Sequence, residues 1–158
     1  MGMKKNLEIE RKFLILSPPA DSLSYDSHDI SQGYLINKDD NEIRIRRIDS
    51  KYYLTIKSGR GKIRQEIEIR ITASQFNSLW PITTGKRILK KRYIIPYGGV
   101  DIELDVFHGR HRGLMMAEVE FKNENESRIF NIPAWFGKEV THDPRFRNAN
   151  LATRKRFA

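Results

Sequence analysis

Cysteine is absent from the 158 residues. Disulfide frameworks, zinc-thiolate sites, thiolate nucleophiles and iron–sulfur clusters are thereby excluded. No apolar run approaches the length of a membrane-spanning helix, so no membrane partner is expected. Met1 to Asn6 is basic, but Leu7 to Leu16 alternates with charges where a signal peptide would be continuously apolar. The expected location is the cytoplasm. Familiar catalytic signatures are missing as well. There is no Gly-x-x-x-x-Gly-Lys phosphate loop, no nucleophile elbow and no His-Glu-x-x-His. Gly59-Arg60-Gly61-Lys62 is too short for the first, and His28, His108, His111 and His142 read as surface or structural residues.

Acidic residues are the scarcer charge: 20 Asp and Glu face 29 Lys and Arg, a formal net charge of +9. That excess favours an anionic partner without choosing among nucleic acid, anionic lipid, nucleotide and polyphosphate. With 39% hydrophobic residues, 8 Phe and 6 Tyr, one folded domain over 1–158 is expected and disorder is excluded.

Period-2 alternation dominates what is there. It predicts roughly eight strands, over 7–16, 28–36, 42–48, 52–57, 62–71, 87–95, 100–108 and 114–121. One helix interrupts them, with Thr72 and Gln75 as a capping box and Pro81 as its close. Asn123 to Ser127 reads as a polar linker. Residues 133–158 read as a partly helical segment covering the sheet, with Pro133 opening one short helix and Asp143-Pro144 as N-cap and N1 of another. Many strands joined by short turns predict a mainly β (α+β) fold, an antiparallel sheet closed into an eight-stranded barrel.

Side chains at i and i+2 of a strand share a face. Glu8 and Glu10 therefore lie together with Lys12 next along. Arg44 pairs with Arg46, Glu66 with Glu68, Lys90 with Arg92, Glu103 with Asp105, and Glu118 with Glu120. A sheet with one solvated face produces alternation of this kind unaided. Doubled like charges of both signs go further, since like neighbours cost energy unless an opposite charge sits between them. Carboxylate pairs suit a divalent cation and basic pairs suit a multiply charged anion. A metal–polyphosphate complex supplies both. The expectation is a barrel turned inside out, ionic within and apolar without, its outside covered by the helix at 72–79 and by Trp135, Phe136 and Phe146.

Glu8-Ile9-Glu10-Arg11-Lys12 resembles the Glu-x-Glu-x-Lys opening of the CYTH, or triphosphate tunnel metalloenzyme, family. In the expected order follow Gln32-Gly33-Tyr34-Leu35, Ile43-Arg44-Ile45-Arg46, Leu54-Thr55-Ile56-Lys57 and Glu66-Ile67-Glu68. Lys90-Lys91-Arg92-Tyr93, Glu103-Leu104-Asp105, Glu118-Val119-Glu120 and Asp143-Pro144-Arg145-Phe146 complete the set. The tail is similar to that of short bacterial members, which look mainly like inorganic triphosphatases. Arg64-Gln65 before Glu66, and the basic tail, depart from the pattern.

The resemblance implies an eight-stranded tunnel hydrolysing a triphosphate, foremost tripolyphosphate to pyrophosphate and phosphate, with Mg²⁺ or Mn²⁺. It implies Glu8, Glu10, Glu118 and Glu120 as metal ligands. Lys12, Tyr34, Arg44, Arg46, Lys57, Lys90, Arg92 and Arg145 would hold substrate. Lys12, Glu66, Glu68, Glu103 and Asp105 would serve catalysis, the four acids as outer groups, ligands of a second metal or positioners of water. The alternatives are an adenylate cyclase or a thiamine or nucleoside triphosphatase on the same fold, acting on ATP or thiamine triphosphate, and a non-enzymatic polyphosphate- or RNA-binding module. Nucleic acid is not the expected partner, and a homodimer is left open.

Overall fold

The computed structural model describes residues 4–7, 9–59 and 63–154. Nine strands build one antiparallel sheet: β1 (Lys4–Leu7), β2 (Ile9–Leu14), β3 (Ser27–Lys38), β4 (Asn41–Ile48), β5 (Lys51–Ser58), β6 (Ile63–Ile71), β7 (Arg87–Tyr97), β8 (Val100–Phe107) and β9 (Met115–Phe121). Three helices accompany them, α1 (Ala73–Leu79), α2 (Glu124–Ile129) and α3 (Asn148–Thr153). The spatial order is β1-β6-β5-β4-β3-β7-β8-β9-β2.

The first and last strands in that order are one residue apart in the chain. The sheet therefore curls until both of its ends belong to one segment, and β1 with β2, counted as a single broken strand, gives the expected eight. The ladder is interrupted at one seam. β1 pairs with β6 and β2 with β9, but among the described residues no ladder joins β2 to β6. The C-terminal segment lies along the second edge of β2 instead. Gly137 N–H donates to Leu14 C=O at 2.8 Å, Leu14 N–H to Lys138 C=O at 2.9 Å, and Val140 N–H to Lys12 C=O at 2.8 Å. An otherwise open strand edge is thereby covered.

Alternation sorts the side chains into two populations. Phe13, Ile15, Ile102, Leu104, Ala117, Val119 and Phe121 form one buried core, joined by Phe130, Trp135 and Phe136. These are the outward-facing positions, and Phe136 packs tilted against Phe13 at 4.8 Å between ring centroids. Each such burial stabilises by about 1.5–3 kcal/mol. The inward face is ionic over most of its length but turns apolar at one end. Phe107 follows Asp105, and Met116 precedes Glu118. Together with Tyr34, Ile88 and the tail residues Phe146, Ala149, Leu151 and Ala152 they make a second core. Phe146 thus packs within the ring rather than outside it.

The capping box is present: Gln75 N–H donates to the Thr72 hydroxyl, and the Gln75 side chain accepts from Thr72 N–H. Pro81 does not close the segment. It sits in the first turn of a 3₁₀ helix over Trp80–Thr83, where its missing N–H costs nothing. The stretch 123–127, read as linker, instead caps and opens α2, with Asn123 accepting from Glu126 N–H at 2.8 Å. Pro133 opens a turn and no helix, its C=O accepting from Phe136 N–H. Asp143 does cap the next turn, accepting from Arg145 N–H at 3.0 Å. No helix among the described residues is long and apolar enough to cross a membrane.

Candidate active site

The ring encloses a polar cavity of about 330 Å³. Register explains its lining. Lys12 on β2 lies opposite Glu118 on β9, and Glu118 lies opposite Glu103 on β8. Glu10 lies opposite Glu120 one pleat further along. Arg44 and Arg46 come from β4, Lys57 from β5, Glu66 and Glu68 from β6, Arg92 from β7, and Tyr34 from β3; all of these face the cavity. The side chains that alternation grouped by strand thus converge in space.

Glu8 lies outside the described residues. Three other expected residues do not stand on the wall. Lys90 and Asp105 have no exposed side-chain surface and are joined to each other, Lys90 Nζ to Asp105 Oδ2 at 2.6 Å. They lie behind the wall because Arg92 comes between, donating to both Asp105 oxygens at 2.7 and 2.8 Å. Arg145 points away, held to Asp143 at 2.6 Å with half its side chain in solvent. Conversely, Glu42, Arg147, Asn148 and Ala149 line the cavity and were not among the expected site residues. Glu42 was legible, since it shares the alternating face of Arg44 and Arg46. The tail residues carry no periodic signal.

Most charges are paired. Arg92 also reaches Glu103, and its Nη2 lies 3.7 Å from Glu118. Lys12 Nζ lies 3.2 Å from Glu118 Oε1 and donates to Phe146 C=O at 3.3 Å. Lys57 is 3.7 Å from Glu66, and Arg44 is 3.9 Å from Glu42. The Thr55 hydroxyl donates to Glu68 at 3.1 Å. Arg46 has no carboxylate partner among the described residues; its Nε donates to Gln32 Oε1 at 3.0 Å, and Gln32 Nε2 donates to the Tyr34 hydroxyl at 2.8 Å.

The titration behaviour follows from these neighbours. Burial, then repulsion from Arg44 and Arg92, pulls Arg46 down to about 10. Burial likewise brings Lys90 down to about 8, and Asp105 restores only part because Arg92 shares that carboxylate. Burial would raise Glu118, but Lys12, Lys90 and Arg92 outweigh it and hold the carboxyl well below its usual range. Glu103 is displaced upward, chiefly by burial. The Tyr34 phenol is raised by burial and stays protonated.

Arg44 Nε, a buried donor on the wall, makes no hydrogen bond among the described residues, and Glu118 Oε1 is met only by the Lys12 ammonium at 3.2 Å. Glu10 stands directly across from Glu120, a like-charge pairing that costs energy unless a cation lies between. No three carboxylates or imidazoles among the described residues already converge on one point. Glu10 and Glu120 therefore offer an opposed pair of carboxylates beside a polar cavity. That suits a hard divalent ion which keeps part of its water shell and takes further oxygens from an anion. The arrangement can hold a polyanion by its cations and a divalent ion by its acids within one cavity.

A CYTH domain family model matches residues 6–147. An inorganic triphosphatase of Nitrosomonas europaea is 45% identical over 148 residues, spanning 92% of this chain and 96% of that protein. One of Acetivibrio thermocellus is 36% identical over 146 residues, spanning 91% of this chain and 92% of that protein. Among solved structures, an inorganic triphosphatase, NE1496, superposes with a TM-score of 0.77 at 40% identity, covering 99% of this chain and 100% of that one. The PH1012 protein of Pyrococcus horikoshii gives 0.55 at 19% identity over 77% of this chain and 83% of its own, a likeness of fold alone.

Proposed function

The chain belongs to the CYTH domain family, and we propose that it hydrolyses inorganic tripolyphosphate to pyrophosphate and phosphate with Mg²⁺ or Mn²⁺. One observation carries the reading: Arg46, without a carboxylate partner among the described residues and pulled down by burial and then by Arg44 and Arg92, shares a 330 Å³ cavity with opposed carboxylates. A surface that met only water would not retain that cost.

Arg44, Arg46, Lys57, Arg92 and Lys12 bind the phosphate oxygens, the guanidiniums by bidentate contacts. Lys90 and Asp105 act indirectly, fixing the Arg92 plane from behind. Tyr34, kept neutral, donates its hydroxyl. Glu10, Glu118 and Glu120 hold the divalent ion, which when bound supplies charge neutralisation of the phosphoryl oxygens. Glu103, Glu66 and Glu68 remain to orient water. Burial brings Glu103 closer to neutrality, which suits it to accept a proton from that water. Attack on a terminal phosphorus forms one O–P bond, breaks the bridging P–O bond and releases pyrophosphate. Positioning and charge compensation supply most of the acceleration.

A second reading, an organic triphosphate as substrate, draws support from a neighbouring groove of about 790 Å³. It shares Glu103 and Glu120 with the cavity and adds Tyr97, Phe121 and Phe130. Phosphate release from tripolyphosphate, ATP, thiamine triphosphate and pyrophosphate, each with Mg²⁺, Mn²⁺ or EDTA, tests both. Tripolyphosphate should lead and EDTA should abolish release. Metal-independent release, or none from any triphosphate, would overturn the proposal.

A further inference from the structure

We propose that Arg147, on the C-terminal segment, is a substrate-binding residue of the cavity; the inference rests on the polyphosphate reading above. Of the neighbouring arginines 145 and 147, the family resemblance implies Arg145, but Arg145 is spent on Asp143 with contacts of 2.6, 2.9 and 3.1 Å and does not line the cavity. Arg147 lines it.

Three observations separate Arg147 from an ordinary surface arginine. First, among the described residues its guanidinium makes no ion pair and no hydrogen bond, whereas every other described cation on the cavity wall except Arg46 is matched with a carboxylate. Its charge is therefore uncommitted. Second, its backbone is fixed. Arg147 N–H donates to Pro144 C=O at 3.3 Å, and its own C=O accepts from Asn150 N–H at 3.0 Å and Leu151 N–H at 2.8 Å. On one side the Lys12 ammonium bonds the Phe146 carbonyl, and on the other Ala149, Leu151 and Ala152 are buried. Third, the Arg110 and His111 side chains hold the far end of α3. Arg110 donates to Ala152 and Arg154 carbonyls at 3.4 and 3.2 Å, and the His111 ring bonds the Leu151 carbonyl at 2.6 Å. With the backbone already fixed, only the side chain is left to order on binding. The basic turn at 109–111 thus acts as the clamp of the segment that presents Arg147.

The occupant this chemistry selects is the phosphate chain, since a planar fork with no anionic partner matches phosphate oxygens. Arg147 would bind the substrate without touching the reacting bond, so its loss should raise KM more than it lowers kcat. The test compares Arg147→Gln, Arg147→Lys and Arg112→Gln, the last removing an exposed cation outside the cavity. Phosphate release gives kcat and KM with Mg²⁺. Calorimetric titration of tripolyphosphate in EDTA gives affinity independent of turnover. R147Q should raise KM and weaken metal-free binding by about 10- to 100-fold with kcat little changed; R147K should recover part of the loss and R112Q should match the parent. Equal affinity in R147Q and a parent that cleaves tripolyphosphate would overturn this inference and leave the triphosphatase reading intact. Equal weakening in R112Q would overturn it too, by reducing the effect to net charge. A parent that neither binds nor cleaves tripolyphosphate would overturn both.

Discussion

Arg46 should be harmful to the folded protein and indispensable to its activity, and Arg46→Gln separates the two. In the ligand-free state a fall from 12.5 to about 10 corresponds to about 3 kcal/mol against the charged guanidinium. Water and counterions in the cavity screen this to about 1–2 kcal/mol. Glutamine places its amide nitrogen where the arginine has Nε, so the 3.0 Å bond to the buried Gln32 survives while the charge goes. In chloride buffer with EDTA, R46Q should melt about 2–8 °C above the parent. The sign with pH is fixed. A base whose folded value lies below its unfolded value carries its full penalty below pH 10 and sheds it as pH rises toward 12.5, so the advantage of R46Q should vanish over that window. Tripolyphosphate at about 100-fold over its Kd should stabilise the parent by about 2.7 kcal/mol and R46Q by much less. Phosphate release should fall by roughly 100- to 1000-fold. Scanning calorimetry with a phosphate-release assay reads all of this. An R46Q protein that melts below the parent without ligand, or keeps the full ligand-induced rise, would refute the reasoning.

Glu118→Gln breaks a buried pairing with Lys12 and Arg92 and should cost about 3–5 kcal/mol at pH 7. Because the Glu118 carboxyl is depressed in the fold, its stabilisation is present above pH 4.5 and lost as pH falls below it, so E118Q should show a shallower acid limb in melting scans. Glu120→Gln relieves the like-charge contact with Glu10, leaving ligand-free stability equal or higher while raising the Mg²⁺ concentration needed for half-maximal phosphate release; an unchanged metal requirement would remove Glu120 from the site. Gly137→Ala sets a Cβ 2.6 Å from the Leu14 carbonyl oxygen, a backbone atom with nowhere to go. It should cost about 1–3 kcal/mol and speed proteolysis within 131–147, and a protease-resistant G137A would contradict the strap along β2.

Strand positions and face assignments were legible because a two-residue period leaves no choice of partner face. Glu10, Lys12, Arg44, Arg46 and Glu118 needed only that rule and the idea that ionic faces turn inward. Depth along the tunnel was not legible. Alternation gives Lys90 and Arg92 the same direction, yet only Arg92 reaches the cavity, because an inward ring of side chains has room for one arginine in front of a buried Lys–Asp pair. The tail was opaque for another reason. Arg145 and Arg147 have the same chemistry two residues apart, and the neighbouring Asp143 captures one of them through geometry that only the folded turn supplies. Helix α2 was a missed signal: Asn123 with Glu126 three residues on is a capping pattern.

The strap on β2 also bears on biosynthesis. β2 acquires both of its flanking neighbours, β9 and residues 137–140, from more than 100 residues further along the chain. Such long-range closure is slow and late. A ribosome-bound nascent chain would carry Glu10 and Lys12 without these neighbours until residues 115–140 emerge, so catalytic competence should switch on abruptly at that point, and products truncated before it should be inert instead of weakly active.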